Sequence, residues 1–333
     1  MYELLGICLS LMGLLVVHST ASLLVAVLWR LCSKATESWA TASRAQFLFL
    51  LRITPPMMAI FCVGGLFVPA YLIHEPRHTG EIVTFEIGLV AALSLYGLLL
   101  ALWRGCATYH VTRCLIREWL KKANPVNIGN VPVPAYRFRH SFPLIAIVGA
   151  VRPKLFIADQ VFGELTAEEV LAAVAHENGH LVAGDNLKRW LVCFCRNYLG
   201  LPILNGNIDR AWFEATEFAA DEHAAGAGAS VALDLASALV KIARLAPHNA
   251  KPAILAGASL MVQDPGTIRA RVLRLTRIAA GFDGRKRPTR AASNLTLGIL
   301  LVGFLSGLLV VVSASGLLVK IHSVLEFFVT ALQ

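Results

Sequence analysis

The sequence predicts a mainly α-helical membrane protein, with four membrane-spanning helices and an α+β domain that carries a short β-hairpin. Composition is the first observation behind this prediction. Of the 333 residues, 56% are apolar and 15% are charged, and the mean hydropathy is +0.64. Soluble domains carry about 25% charged residues. This composition excludes an ordinary soluble enzyme and a disordered chain.

Four apolar stretches are the second observation, because each reaches the roughly 20 residues that a helix needs to cross a bilayer. They are residues 4–28, 47–73, 82–103 and 295–319. The first is not expected to be a signal peptide, since no basic region precedes it. We therefore predict a three-helix transmembrane region at 1–104, a cytoplasmic domain at 105–292, and a fourth span with a short outer tail at 293–333.

The distribution of positive charge predicts the orientation in the membrane. Of the 30 Lys and Arg residues, 24 lie between Arg104 and Arg290. Such an excess is typical of cytoplasmic segments. We expect a multi-pass protein of a bacterial-type inner membrane, with the N-terminus outside. No aromatic-basic module accompanies the charge, so the lipid bilayer is the expected partner and direct nucleic-acid binding is not expected. The seven cysteines form no C-x-x-C pair, which disfavours a disulfide framework or a thiolate metal site.

Two charged residues and three prolines lie within the predicted spans. Arg52 and Glu86 are each close to a membrane interface, so we expect their side chains to extend towards water. Pro55, Pro56 and Pro69 are expected to kink or interrupt the second span.

A motif typical of metal-binding helices lies in the cytoplasmic segment. Residues 175–180 read Ala-His-Glu-Asn-Gly-His, which contains the H-x-x-x-H spacing with Glu after the first histidine. Thr166 and Glu169 have the spacing of a capping box, and apolar residues recur downstream at helical intervals. The sequence therefore predicts that the motif is on a helix.

This spacing suits a metallohydrolase. His176 and His180 would share one helix face, about 5–6 Å apart between Cβ atoms, and could bind one zinc ion. Glu177 would lie beside them as a general base acting on a metal-bound water. The alternative is a pair of histidines on a helix surface without metal.

A third protein ligand is required in a catalytic zinc site. Residues 211–223 predict a second helix on which Glu217 and Asp221 share a face, so Glu217 could bind the metal while Asp221 orients a histidine. Spacing alone leaves Glu214 and His223 as rival ligands. Asp185 would either orient a ligand or simply end the first helix.

The chain resembles the integral-membrane zinc peptidases of the BlaR/MecR type and, more distantly, the HtpX and CAAX-prenyl endopeptidase group. The resemblance rests on Pro-Leu-Ile-Ala-Ile-Val-Gly at 143–149, Arg-Pro-Lys-Leu-Phe-Ile at 152–157, the stretch 165–180, Gly-Asp at 184–185 and Glu-Phe-Ala-Ala-Asp-Glu at 217–222. It implies a zincin-like (gluzincin) domain and one Zn²⁺ per chain. It further implies His176, His180 and Glu217 as metal ligands and Glu177 as the general base. Asp221 is implied as a residue that hydrogen-bonds to a ligating histidine and orients it.

The chain also departs from these families. Asn178 and Gly179 replace the usual small apolar pair, and a glycine inside a helix costs about 1 kcal/mol, so this helix must depend on packing. No S-x-x-K motif follows the fourth predicted span, so antibiotic sensing is not expected. A run at 264–275 resembles the proline-then-basic-helix segment of the HtpX group, but a solvated basic face is the expected structure.

Two short apolar stretches precede the metal-binding helix. Residues 143–148 and 154–158 predict a β-hairpin, which would either align an extended substrate along its edge or serve only as a lid on the core. Residues 190–204 are interrupted by polar residues and are expected to form a helix on the membrane face of the domain, not a fifth span.

Together these patterns predict a membrane-bound zinc endopeptidase. The expected substrate is a protein at the cytoplasmic membrane surface, either a cytosolic repressor or partner in regulated signalling, or a membrane protein in quality control. A non-enzymatic signalling scaffold that retains the peptidase fold is the alternative. A transporter is disfavoured because no inverted repeat is visible.

Overall fold

A computed structural model describes residues 2–76, 83–129, 131–141, 143–196, 202–245, 265–281 and the single residue 323. Within these residues the protein is mainly helical, with one small sheet of mixed direction. The predicted mainly α-helical class and the presence of a short sheet are therefore confirmed. The fourth predicted span, at 295–319, lies outside the described residues.

Three segments are long and apolar enough to cross a membrane, which indicates a membrane protein. Helix α1 is Tyr2–Cys32, the second segment is Thr41–His74, and helix α4 is Phe85–Lys121. The second segment consists of α2 (Thr41–Cys62), a π-helical turn at Val63–Phe67, and α3 (Val68–His74). The helix continues through Pro55 and Pro56, and its irregularity is the π-helical turn that follows them. Pro69 lies in the first turn of α3, directly after the π-helical turn.

The prediction that Arg52 extends to water is wrong. Its side chain is 2% exposed, and its Nε donates to Asp209 Oδ1 at 2.9 Å. Asp209 belongs to α8 (Pro202–Ala225), which lies along α2. A second polar contact joins the same helices, since the Thr41 hydroxyl donates to Glu222 Oε2. Arg52 therefore anchors α8 to a spanning helix instead of reaching the interface.

A four-stranded sheet lies beyond α4, with strands β1 (Ala123–Pro125), β2 (Ala135–Phe138), β3 (Ile145–Val148) and β4 (Lys154–Ala158). The strand order is β1-β2-β4-β3. The predicted hairpin is confirmed, because β3 and β4 pair antiparallel with Ile147 opposite Leu155. The parallel pairing of β2 with β4 was not predicted. Strand β3 is consequently an edge strand, and all four of its residues are buried.

The remaining helices cover this sheet and connect it to the spans. They are α5 (Asp159–Glu164), α6 (Ala167–Ala183), α7 (Asp185–Arg196), α8, α9 (Ala229–Leu245) and α10 (Pro265–Ala279). The largest apolar core lies between β3, β4, α6 and α9. The first part of the predicted 190–204 helix belongs to α7, which packs on α4, where Trp190 donates to the Gly105 carbonyl at 3.2 Å. A Cβ at Gly105 would overlap the Phe194 ring, so the glycine permits this close contact.

The predicted capping box at the start of α6 is present. The Glu169 amide donates to the Thr166 hydroxyl at 3.3 Å, and the Thr166 amide donates to the Glu169 carboxylate at 2.8 Å. Helix α9 adds two donors, since the Ser237 hydroxyl and the Lys241 ammonium contact the same carboxylate at 2.6 and 2.8 Å. These contacts hold the pKa of Glu169 below its ordinary value, although burial opposes the shift. The capping residue thus also fastens α6 to α9.

Replacement of Glu169 with Gln should therefore destabilise the protein. The change removes the charge that three donors share, and we expect a loss of about 2 kcal/mol in the free energy of unfolding. Thermal unfolding followed by circular dichroism measures this loss. The neighbouring Glu168→Gln is the control, because Glu168 is exposed and, among the described residues, contacts only its own backbone and the Thr166 side chain, so its midpoint should fall by less. Equal midpoints for the two variants would contradict the bridging role of Glu169.

Candidate metal centre

Helix α6 places both predicted histidine ligands on one side, as the four-residue spacing requires. The His176 and His180 rings lie 4.9 Å apart between centroids and are almost perpendicular. Both side chains are at most 2% exposed. The two Nε2 atoms face the same carboxylate on α8, that of Glu217. The alternative of two surface histidines is therefore wrong.

Glu217 is the carboxylate that completes the group. Its Oε2 lies 3.6 Å from His176 Nε2, and its Oε1 lies 3.4 Å from His180 Nε2. One ligand atom from each of the three residues lies within 4.8 Å of the others, so the group could hold a metal ion. The rival Glu214 is partly exposed and pairs with Arg210 at 3.2 Å, and the rival His223 is exposed. Geometry thus favours Glu217 among the three residues that spacing left open.

Gly179 allows α8 to approach α6 at this point. A Cβ at residue 179 would lie 3.0 Å from the Ala220 Cα and 3.2 Å from the His223 Cβ, which is closer than ordinary contact. The glycine that weakens α6 locally is therefore the residue that permits Glu217 to reach the histidines. The close contact of α6 with α8 at Gly179 is thus one part of the packing on which this helix was expected to depend.

Each histidine contacts a second carboxylate through its Nδ1 atom. His176 Nδ1 lies 2.9 Å from Asp221 Oδ1, and His180 Nδ1 lies 2.8 Å from Asp185 Oδ2. Such contacts direct Nε2 of each ring towards Glu217. Arg271 Nη2 also lies 3.4 Å from His176 Nε2. Asp185 reaches His180 because Gly184 ends α6 with φ 70°, a left-handed conformation that reverses the chain. Asp185 therefore orients a histidine as well as following the end of α6.

Arg271 was not predicted as part of the site. The run at 264–275 was expected to be a solvated basic face, and this expectation is wrong for Arg271, which is fully buried. Its guanidinium binds both oxygens of Asp221, at 2.6 and 2.8 Å, and donates to Glu217 Oε2 at 2.9 Å. Leu275 is buried one turn later on α10, whereas the intervening Leu273 is half exposed. Arg271 lies four residues before the buried Leu275 and therefore shares its helix face. This spacing was the signal in the sequence that Arg271 faces the core.

A second arginine flanks Glu217 from α7. Arg189 Nη2 lies 3.4 Å from Glu217 Oε1, and the residue is 5% exposed. The buried cluster thus contains two guanidinium groups and four carboxylates, those of Glu177, Asp185, Glu217 and Asp221. When both histidines are neutral, as metal binding requires, the four carboxylates outnumber the two arginines, and a divalent cation would balance that excess of negative charge.

The predicted base, Glu177, points from α6 towards the sheet. Its Oε2 accepts a hydrogen bond from the Ile147 amide at 3.0 Å, and its Oε1 is buried without a hydrogen-bond partner in the described structure. The Ile147 carbonyl accepts from Asn186 Nδ2 at 2.8 Å. Both backbone groups of this edge residue are thus engaged by side chains. At Ile147 the β3 edge is covered, as a lid would require, and it is not open to a substrate strand.

Burial and neighbouring charge shift the protonation of the site. Burial alone lowers the pKa of His180, but the Glu217 charge and the contacts with Asp185 and Glu217 outweigh it and raise the pKa to about 9. Burial also raises the pKa of Glu177, against the opposing effect of both histidines. The pKa of Glu217 is held well below its ordinary value, because Arg271 and His180 outweigh the effect of burial.

The residues present could hold one metal ion. Metal bonds of about 2.0–2.1 Å place neighbouring ligand atoms of a tetrahedral site about 3.3 Å apart. The two separations between a histidine Nε2 and a Glu217 oxygen, 3.4 and 3.6 Å, are close to that value, and each involves a different oxygen of the carboxylate. His180 Nε2 is buried and forms no close hydrogen bond in the described structure, and the Glu217 oxygen that faces it lies at 3.4 Å. A bound cation would satisfy the lone pair of this nitrogen.

Comparison of the sequence with models of known protein families gives no match, and comparison with curated proteins gives none either. The assignment of the site therefore depends on its geometry.

Metal content should depend on Glu217 and not on its neighbour Glu214. Wild-type protein, purified without chelator, should retain about one divalent ion per chain. Glu217→Gln should lower the occupancy at least about tenfold, because it replaces a charged ligand with a neutral amide. Elemental analysis by mass spectrometry identifies and counts the metal. Glu214→Gln, on the same helix, is the matched control. Loss of metal in both variants, or in neither, would argue against the assigned ligand set.

Metal affinity should also rise with pH. A metal displaces the proton from His180 Nε2, and the raised pKa of about 9 keeps that proton bound at neutral pH. Displacement of one proton makes apparent affinity increase about tenfold per pH unit below that pKa. Competition with a chelator of known pH dependence measures this slope. A flat profile from about pH 6 to pH 8 would contradict a protonated His180.

Proposed function

We propose that the protein is a membrane-bound zinc endopeptidase. The observation that supports this proposal best is the buried group of His176, His180 and Glu217, with Glu177 adjacent to the first histidine on the same helix. Three protein ligands leave one position open, which is typical of catalytic rather than structural zinc sites. The proposal extends to family and fold: the chain would be related to the BlaR/MecR and HtpX peptidases, and its domain would have the gluzincin fold.

Different residues of the chain would carry out different steps of the hydrolysis. A bound zinc ion would lower the pKa of a water molecule from 15.7 towards about 7 and polarise the peptide carbonyl. Glu177 Oε1, which has no hydrogen-bond partner in the described structure, is the atom available to accept the proton of that water. The raised pKa of Glu177 then helps the carboxyl to hold the proton and release it to the leaving amine. Asp185 and Asp221 keep the imidazoles oriented.

A substrate needs access that the described conformation does not offer. Glu177 is 1% exposed, and its carboxylate is attached to the β3 edge through the Ile147 amide. An extended peptide that pairs with β3 must displace this contact and that of Asn186. The proposal therefore includes an opening movement between β3 and α6. In this form the protein is closed, as suits a protease that acts only after a signal.

The substrate class follows from the location of the site. Helices α7 and α8 carry site residues and pack directly on α4 and α2. A site so close to the spans suits protein substrates at the membrane surface. We infer regulated cleavage of a cytosolic repressor or partner, or quality control of membrane proteins. In the proposed orientation, the N-terminus is outside a bacterial-type inner membrane and the catalytic domain is cytoplasmic.

A signalling scaffold is the second candidate function, and the complete burial of the site favours it. In that case the ion would only hold α6 and α8 together. A scaffold has no chemical need for Glu177, because this residue is not among the three metal-binding side chains. Activity of a Glu177 variant therefore separates the two functions.

Glu177→Gln should abolish proteolysis and retain metal. The amide cannot accept the proton, and loss of a positioned general base costs about 10²–10⁴-fold in rate. Cleavage of an unfolded protein such as casein by the full chain in detergent, with metal content measured in parallel, tests this expectation. Glu168→Gln, on the exposed face of α6, should cleave at the wild-type rate. Equal cleavage by Glu177→Gln and wild type would exclude the proposed mechanism.

A further inference from the structure

A cavity separate from the metal centre lies where α4, α7 and the β3–β4 turn meet. Its volume is about 490 Å³. Tyr109, Arg113 and Arg117 of α4 form one wall, and residues 149–152 of the turn form the opposite wall. Trp190 of α7 and Lys154 of β4 complete the lining. None of the metal-centre residues contributes to it.

The charge of this cavity is of one sign. Arg113, Arg117, Arg152 and Lys154 all line it, and no carboxylate does among the described residues. None of these four cations forms an ion pair within the described part of the chain. Arg113 instead lies over the Tyr109 ring at 5.7 Å, and Lys154 lies over the Tyr136 ring at 5.6 Å. Uncompensated cations around a concave site attract an anion, and arginine donors match phosphate oxygens in particular.

The cavity also lies next to the apolar part of a spanning helix. Tyr109 is about 9 Å beyond Trp103 along α4, at 1.5 Å per residue. Exposed apolar side chains lie near it, since Val151 lines the cavity and is 71% exposed, and Trp103, which precedes Tyr109 on α4, is 65% exposed. Tyrosine and tryptophan are enriched at the level of lipid headgroups, and basic pockets beside spanning helices bind anionic headgroups.

We propose that this cavity binds a phosphate-bearing anion, in the form of the headgroup of an anionic phospholipid. The arginines would contact the phosphate, and the exposed Val151 would contact the upper part of an acyl chain. An acidic peptide would satisfy the charge but would leave the exposed apolar side chains unused. This inference is independent of the proposed peptidase activity, because it concerns different residues and needs no metal.

Binding can be measured on the full-length protein after delipidation in a neutral detergent. Native mass spectrometry would count bound lipid during titration with phosphatidylglycerol, with phosphatidylcholine as the neutral comparison. We expect about one tightly held phosphatidylglycerol per chain. Arg113→Gln combined with Arg152→Gln should weaken this binding at least about tenfold, since two charge-assisted contacts with the phosphate are lost. Arg244→Gln, which removes an exposed arginine of α9 outside the cavity, should not weaken it.

Competition distinguishes the sources of the anion. Displacement of phosphatidylglycerol by millimolar inorganic phosphate would support the phosphate site and assign it to a soluble ligand as well. Failure of phosphate to compete, with binding retained, would assign it to lipid. Equal binding of both lipids, equal loss in the Arg244 variant, or binding of an acidic peptide alone would overturn the proposal. If the double variant does not fold, Arg152→Gln alone provides the same comparison, because Arg152 is exposed on the turn.

Discussion

Compensation of buried charge is the constraint on which this structure depends. Four carboxylates and two histidines lie together at no more than 4% exposure, and an uncompensated charge in such surroundings costs several kcal/mol. Arg271 on α10 compensates Glu217 and Asp221 on α8, while the imidazoles on α6 connect these acids to Asp185 on α7. Separation of any of these helices would leave a charge without its partner. The packing of the helices and the geometry of the site are therefore one set of contacts.

Helix α6 and the hairpin could be predicted because their signals are local. The capping box, the apolar periodicity of α6 and the turn before β4 each lie within a few neighbouring residues, and local hydrogen bonds determine them. The pairing of Glu217 with Asp221 could also be predicted from the sequence, since two acids four residues apart on one helix must share a face. The choice of Glu217 over Glu214 required the resemblance to known peptidases, because both lie on the same helix.

The remaining features depend on partners distant in the chain. Arg271 is 50 residues from Asp221, and Arg52 is 157 residues from Asp209. An arginine on an amphipathic helix is usually solvated, so its burial cannot be inferred without knowledge of which acid faces it. The pairing of β2 with β4 likewise depends on a parallel contact that no turn signal marks. The role of Asp185 could not be predicted because it depends on the direction that the chain takes after Gly184.

The two polar contacts between α2 and α8 lie on either side of Glu217 in the sequence of α8. Thr41 holds one end through Glu222, and Arg52 holds the other through Asp209. A tilt of α2 must then carry Glu217 relative to the histidines of α6. Mismatch with the thickness of the bilayer is one of the influences on the tilt of a spanning helix. The lipid environment would therefore be a mechanical input to the geometry of the candidate metal centre.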